Sequence, residues 1–212
     1  MLLFLAMPVE IELKFPDADL RALRERLQSL GARCQGWVFE RNIVFDLPDR
    51  SLLANRVLLR LRSADGATLT LKRPLAKGER PARDCGKALQ EVETTVRDAR
   101  AMREILAGLG YAEVFCYEKV RASWKWEGAT ICLDRLPFGD FAELELHCEA
   151  ADRVLERFSD LASRLGLDFA RSTKKTYHEL NKERRARLGL PEDENFVFED
   201  QPPSGEDLCN VF

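Results

Sequence analysis

The sequence predicts an α+β fold: about eight antiparallel strands closed into a barrel, charged inside and apolar outside, with helices packed on the outer face. Three observations predict it. Segment after segment alternates an ionisable residue with an apolar one at period two, the mark of a strand with two unlike faces. The ionisable residues are sorted by sign, so that some strands carry pairs of acids and others pairs of bases. Three further segments place Leu, Val, Phe and Ala at helical spacing on one stripe, as a covering helix requires.

The elements follow in order. Residues 8–15 alternate Val9, Ile11, Leu13 and Phe15 with Glu10, Glu12 and Lys14, a strand. Residues 17–30 form a helix: Asp17 or Asp19 caps it, Leu20, Leu23, Leu27 and Leu30 make its stripe, and Gly31 ends it. Residues 37–47 are aromatic and β-branched, a second strand closed by a turn at Pro48-Asp49. Residues 56–63 and 67–73 make a hairpin about Ala64-Asp65-Gly66. Residues 74–87, with Pro, Gly and scattered charge, are expected to be a mobile connection. A strand at 88–96 and a helix at 98–109, ended by Gly110, come next. Strands at 113–126 and 129–135 pair about Glu127-Gly128, and after a turn at 136–140 the last strand is 141–149. A third helix spans 152–165, ended by Gly166, and a short one 175–188. The expected organisation is one tunnel-like domain over residues 8–190 and an acidic C-terminal tail over 191–212, in which Phe196 and Phe198 are candidates for docking.

The chain has 212 residues, 45% hydrophobic and 33% charged, enough for one domain with a buried core. Its net charge of −3 conceals an asymmetry: seven of the 36 acids lie in the tail, so 29 face 33 bases in the rest. A mildly basic body suits an anionic small molecule. It does not indicate nucleic acid, because the bases are distributed among strands and not gathered in a run. No segment approaches a membrane span, so no membrane partner is expected. The six cysteines include no C-x-x-C pair, which argues against structural zinc, and several lie in apolar runs as packing side chains. Residues 1–7 lack the basic start and cleavage site of a secretory signal. Met7 is therefore the expected start, a reduced cytoplasm the expected location, and a monomer or homodimer the expected state.

Shared faces set the chemistry. Glu10, Glu12 and Lys14 share one, as do Arg60 with Arg62, Thr70 with Lys72, and Glu91 with Glu93. Lys119, Arg121, Ser123 and Lys125 share another, and Glu143, Glu145, His147 and Glu149 a further one, with Asp134 on the strand before. A sheet with one wet face explains any single strand of this kind. It explains less well why the faces are almost purely ionisable and sorted by sign. Turned inward, so many charges would be costly if dry and unpaired. They suit a wet lumen that holds a strongly charged ligand. A triphosphate carries about four negative charges near neutral pH, and Arg forks and Lys ammonium groups bind its oxygens. The carboxylates would repel it unless a hard cation, Mg2+ or Mn2+, bridges them.

In this order, E-x-E-x-K at 10–14, L-R-L-R at 59–62, L-T-L-K at 69–72, E-V-E at 91–93, E-K-V-R at 118–121, Asp134 and F-x-E-L-E at 141–145 resemble the CYTH, or triphosphate tunnel metalloenzyme, superfamily. The resemblance runs from about Val9 to Leu180. It implies a closed eight-stranded antiparallel tunnel and an activity among those of class IV adenylyl cyclases, thiamine triphosphatases and inorganic tripolyphosphatases. It implies metal ligation by Glu10, Glu12, Glu143 and Glu145, with Asp134, Glu91 and Glu93 at a second metal or positioning water. It implies triphosphate binding by Lys14, Arg60, Arg62, Lys72, Lys119 and Arg121, and a late closing base at Lys174 or Lys175. Glu91, Glu93, Asp134 and Lys72 stand as the catalytic candidates.

A metal-dependent triphosphatase is the leading expectation, because phosphoanhydride hydrolysis needs only the lumen residues. One alternative is a class IV-type adenylyl cyclase, which also needs an adenine pocket at a tunnel mouth. The other is a non-catalytic polyphosphate or nucleotide sensor, for which the full acidic set would be superfluous. His147 is expected near the rim, His178 on the surface, and Trp124 and Trp126 in outer packing. The tail is expected to be solvated or, less favoured, to fold over a positive tunnel mouth.

Overall fold

The computed structural model describes residues 9–74, 87–148 and 153–209. The apolar leader and residues 75–86 of the expected connection lie outside them, as do the side chains of Glu10 and His147. The strands are β1 (Val9–Pro16), β2 (Arg33–Asp46), β3 (Leu58–Ser63), β4 (Ala67–Pro74), β5 (Lys87–Val96), β6 (Ala112–Trp126), β7 (Ala129–Leu136) and β8 (Gly139–Cys148). The helices are α1 (Leu20–Ser29), α2 (Ser51–Ala54), α3 (Ala99–Gly108), α4 (Val154–Leu165) and α5 (Tyr177–Arg187). Every neighbouring pair of strands is antiparallel, and the order β1-β5-β4-β3-β2-β6-β7-β8 returns to its start through β8–β1 pairing. The sheet is a closed barrel, as expected.

Register decides which charges meet. Glu12 opposes Glu145 and Lys14 opposes Glu143 across β1–β8. Lys72 opposes Glu91 across β4–β5, and Arg121 opposes Asp134 across β6–β7. Opposed residues share a face, so these pairings turn the sorted charges inward together.

The opposite faces make the core. Ile11, Leu13, Trp124, Ile131, Leu133 and Leu144 pack beneath α1 and α4, meeting Leu23, Leu27, Phe158 and Leu161. Phe45, Leu59 and Leu61 pack with Val96 and Leu106 beneath α3. Each such side chain contributes roughly 1.5–3 kcal/mol by leaving water. Trp124 and Trp126 lie in this outer packing, as expected. A third cluster, Val44, Phe115, Tyr117, Phe141, Tyr177 and Phe196, sits at one end of the barrel. Helix ends follow their sequence signals: Asp19 accepts from the Ala22 amide and Asp98 from the Ala101 amide, each at 3.0 Å, and Thr176 with Glu179 forms a capping box on α5.

Three features depart from expectation. β2 begins at Arg33, four residues early, because a bulge between Cys34 and Trp37 carries the chain through Gly36 at φ +105°. The strand expected from residue 56 begins at Leu58, because Arg56 takes a left-handed conformation (φ +59°). It follows α2, a four-residue helix too short to show periodicity, whose Leu52 and Leu53 amides donate to the Asp46 carboxylate at 2.9 Å. Finally, Cys34 and Cys209 form a disulfide, which the expectation of a reduced cytoplasm did not foresee; Cys132 is a buried free thiol on the lumen side, opposite Glu143 and with Sγ 3.6 Å from Glu145 Oε1, and not an apolar packing residue.

Candidate active site

The barrel encloses a cavity of about 1130 Å3. Its wall includes every base expected to bind substrate: Lys14, Arg60, Arg62, Lys72, Lys119, Arg121 and Lys174. Glu12, Glu91, Glu93, Glu143 and Glu145 line it too. Asp134 is fully buried behind that wall and reaches it through its partners. The Glu10 side chain lies outside the described residues; its backbone pairs with His147 on one side and Leu89 on the other.

Each lumen carboxylate leans on a base. Arg121 grips Asp134 through Nε and Nη2, both at 2.6 Å, and reaches Glu143 and Glu145 at 3.2 Å. Lys14 Nζ lies 2.7 Å from Glu12 and 3.3 Å from Glu143. Lys119 stands between Asp134 (3.4 Å) and Glu40 (3.6 Å). Lys72 meets Glu91 at 2.9 Å, and Arg62 meets Glu93 at 3.5 Å. Arg60 bonds Tyr117 Oη and Thr70 Oγ1, and the Thr70 hydroxyl donates to Glu93 at 2.6 Å.

The pairing controls protonation. Burial would raise the Glu143 pKa, but Lys14, Arg121 and Lys119 outweigh it and hold the carboxyl well below its ordinary range. Burial opposes the charge of Lys14 in the same way, and Glu12 with Glu143 still raises its pKa. Glu40 is likewise opposed by burial, yet Lys119 and the nearby arginines bring it down to about 2. Burial, together with Asp134 and Glu143, pushes the Tyr177 phenol well up, so it stays a neutral donor. Its single proton is shared between Asp134 Oδ2 at 2.6 Å and Glu143 Oε2 at 3.1 Å.

Several of these residues escape a sequence reading. Glu40 and Asn42 face the lumen from β2, buried among Lys119, Arg62 and Tyr117. Their spacing of two was a signal, obscured by Arg41, which sits on the outer face and pairs with Glu118. Tyr177 opens α5, outside any strand, and nothing in its local sequence announces that it enters the barrel end. His178 was expected on the surface; its ring instead stacks on Phe115 (4.5 Å between centroids), with Nε2 3.1 Å from Glu194.

The donor set fits a hard divalent ion. Among the described residues no three acidic, His or Cys side chains form a ready cation cage. The carboxylates that face the cavity are nonetheless oxygen donors on adjacent strands, Glu12 opposite Glu145 with Glu143 one step along. The neighbouring Cys132 adds no thiolate, because burial pushes its pKa well up.

The chain is similar to known proteins over most of its length. The CYTH domain model matches residues 8–177. A Methanocaldococcus jannaschii protein described as a candidate adenylate cyclase is 29% identical over 177 residues, covering 81% of this chain and 98% of that one. A Pyrococcus horikoshii protein of known structure superposes with a TM-score of 0.67 at 26% identity, over 81% of this chain and 98% of that one. A Hippeastrum protein, described as a candidate adenylyl cyclase with dominant triphosphatase activity, shares the fold with a TM-score of 0.58 at 20% identity, over 89% of this chain and 99% of that one.

Proposed function

The chain belongs to the CYTH domain family, and from that membership we propose that it is a metal-dependent triphosphatase, cleaving a phosphoanhydride bond of an inorganic or organic triphosphate inside the barrel. One observation supports this reading above the others: six bases from β1, β3, β4 and β6 converge on one cavity together with the carboxylates of Glu12, Glu91, Glu93, Glu143 and Glu145.

Glu10, Glu12, Glu143 and Glu145, with Asp134 assisting, would hold Mg2+ or Mn2+, which when bound supplies Lewis-acid charge and lowers the pKa of a water. Lys14, Arg60, Arg62, Lys72, Lys119 and Arg121 bind the phosphate oxygens and hold the chain of phosphates in line. Lys174 closes over it. Arg121 does so from a fixed position, because Asp134 anchors its guanidinium and Tyr177 anchors Asp134. Glu91 and Glu93 orient the attacking water; Glu93, held low by the Thr70 hydroxyl and Arg62 against the cost of burial, is ionised and accepts a hydrogen bond at Oε1 or Oε2. Lys72, 2.9 Å from Glu91, neutralises charge as the bond breaks. Each base that turns to a phosphate oxygen leaves a carboxylate for the cation, so anion and cation support each other's binding.

A class IV-type adenylyl cyclase is the second reading. It is favoured by the description of the Methanocaldococcus relative and by the rings of Phe115, Tyr117, His178 and Phe196 on the cavity wall, which offer a stacking surface to a base. The deciding experiment incubates the purified chain with Mg2+ or Mn2+ and, separately, tripolyphosphate, thiamine triphosphate and ATP, and resolves the products. Orthophosphate without cyclic AMP is expected. Cyclic AMP and pyrophosphate from ATP would replace the hydrolase reading with the cyclase one.

A further inference from the structure

The segment that follows α5 lies beyond the family match, which ends at residue 177, yet it touches the barrel at both of its ends. At the cavity end, Glu194 takes two hydrogen bonds from Arg50 Nη2, at 2.5 and 2.7 Å. Two residues on, Phe196 joins the barrel wall. β7 pairs with β6 only from Val120 onward, which leaves the earlier half of β6 without that neighbour. Phe196 fills the place: its amide donates to the Cys116 carbonyl, and the Glu118 amide donates to the Phe196 carbonyl. The Phe196 ring then stacks on Tyr117 (5.0 Å between centroids, 21° between planes), and Tyr117 Oη accepts from Arg60 Nη1 at 3.2 Å.

The other end is locked outside the barrel. Gly205 lies so close to Trp37 and Val120 that an added Cβ would stand 2.7 Å from both. Leu208 is buried in the outer core, and its carbonyl accepts from Trp124 Nε1. Cys209 is bonded to Cys34, 175 residues away in the chain, and both cysteines are only half-buried, within reach of a small thiol.

We propose that residues 191–209 are a positioning strap whose Phe196 fixes Tyr117 and, through it, Arg60, and that the Cys34–Cys209 bridge makes the hold of the lumen on its anion sensitive to thiols. The proposal rests on the reading that the lumen binds a triphosphate. The redox step is thiol–disulfide exchange with an external dithiol. One reagent thiolate attacks one Sγ and forms a mixed disulfide; the second reagent thiolate displaces the remaining protein sulfur. The chain gains two electrons and two protons as two thiols, and the reagent leaves as its own disulfide. Tethering at both ends keeps Phe196 at a high local concentration against β6, and reduction removes one tether.

The test uses the full chain, calorimetric titration with tripolyphosphate, and amide hydrogen exchange at Glu118. Phe196→Ala is expected to weaken binding about 5–10-fold, with recovery in Phe196→Tyr, which keeps the stacking ring. Gly205→Val, which touches no cavity residue, is expected to undock the strap and weaken binding about as much as reduction by dithiothreitol. Cys209→Ser should sit at the reduced level and no longer respond to dithiothreitol. An unchanged affinity in Phe196→Ala, with Glu118 exchange accelerated, overturns the positioning role. Wild-type protein with both thiols titratable but unchanged affinity and exchange overturns the redox role. If the oxidised wild type binds no tripolyphosphate, the triphosphate reading falls instead, and the strap is then judged on exchange alone: a Glu118 amide no faster after reduction overturns it.

Discussion

Arg121 and Asp134 face each other across β6 and β7 and are joined by two side-by-side hydrogen bonds of 2.6 Å, with Asp134 wholly buried. Removing one partner of such a pair leaves an uncompensated charge in the interior. Asp134→Ala is therefore expected to cost about 3–5 kcal/mol, whereas breaking the exposed Arg21–Glu25 pair should cost at most about 0.5 kcal/mol. Urea unfolding of the two variants measures the contrast; equal midpoints would show that Asp134 is not a structural anchor.

Tyr177→Phe deletes only the oxygen that donates to Asp134 and Glu143. The two carboxylates lose a buried donor, so a loss of about 1–3 kcal/mol is expected. Activity should fall as well, through a loosened Arg121. A variant as stable and as active as the parent would remove Tyr177 from the site.

Substitution separates the two sets of lumen charges. Arg60→Ala should weaken tripolyphosphate binding at least about tenfold, the loss of one charge-assisted contact. Glu10→Gln and Glu12→Gln should abolish metal-dependent turnover while the anion still binds. Full activity in all three would refute the assignment of the lumen.

Cation and anion should bind synergistically. Because Lys14 occupies Glu12 and Glu143, the anion must draw this base away before those carboxylates are open. Tripolyphosphate is expected to raise the affinity of the chain for Mn2+, and Mn2+ to raise that for tripolyphosphate by the same factor. Paramagnetic titration of Mn2+, corrected for the complex formed in free solution, tests it; independent binding would contradict the shared partners.

Acid stability should carry the signature of Glu40. Its folded pKa, about 2, lies below the ordinary carboxylate value of 4.5, so its contribution is complete above pH 4.5 and is lost as pH falls towards 2. The pH-dependent part is about 3 kcal/mol. Glu40→Gln should flatten the unfolding free energy over that window, and an unaltered slope would count against the pairing with Lys119.

Much of this was legible because a strand exposes its logic at period two. Spacing put Glu12 with Lys14, Arg60 with Arg62, and Lys72, Glu91 and Glu143 each on the charged face of its strand, the sorting of charges and the family resemblance turned those faces inward, and register brought them together. Glu40 and Asn42 were hidden because Arg41 puts a charge on the outer face and blurs the alternation. Tyr177 and His178 were hidden for a different reason. They approach the barrel end from α5, and no periodicity within a helix's first turn tells where the helix will dock. The disulfide was unreadable because 175 residues separate its cysteines and only the path of the folded tail brings them together.

The pairing of β1 with β8 has a consequence for how the molecule comes into being. The seam of the barrel joins residue 9 to residue 148, so it cannot be completed until every residue up to 148 has left the ribosome. Before then the nascent sheet has two open margins and no lumen at all. Pairings this distant in sequence make for slow folding, in the range of milliseconds to seconds for domains dominated by such contacts. Over that interval Glu12 and Lys14 on one margin and Glu143 and Glu145 on the other keep charged side chains along the open edges, which disfavours wrong pairing.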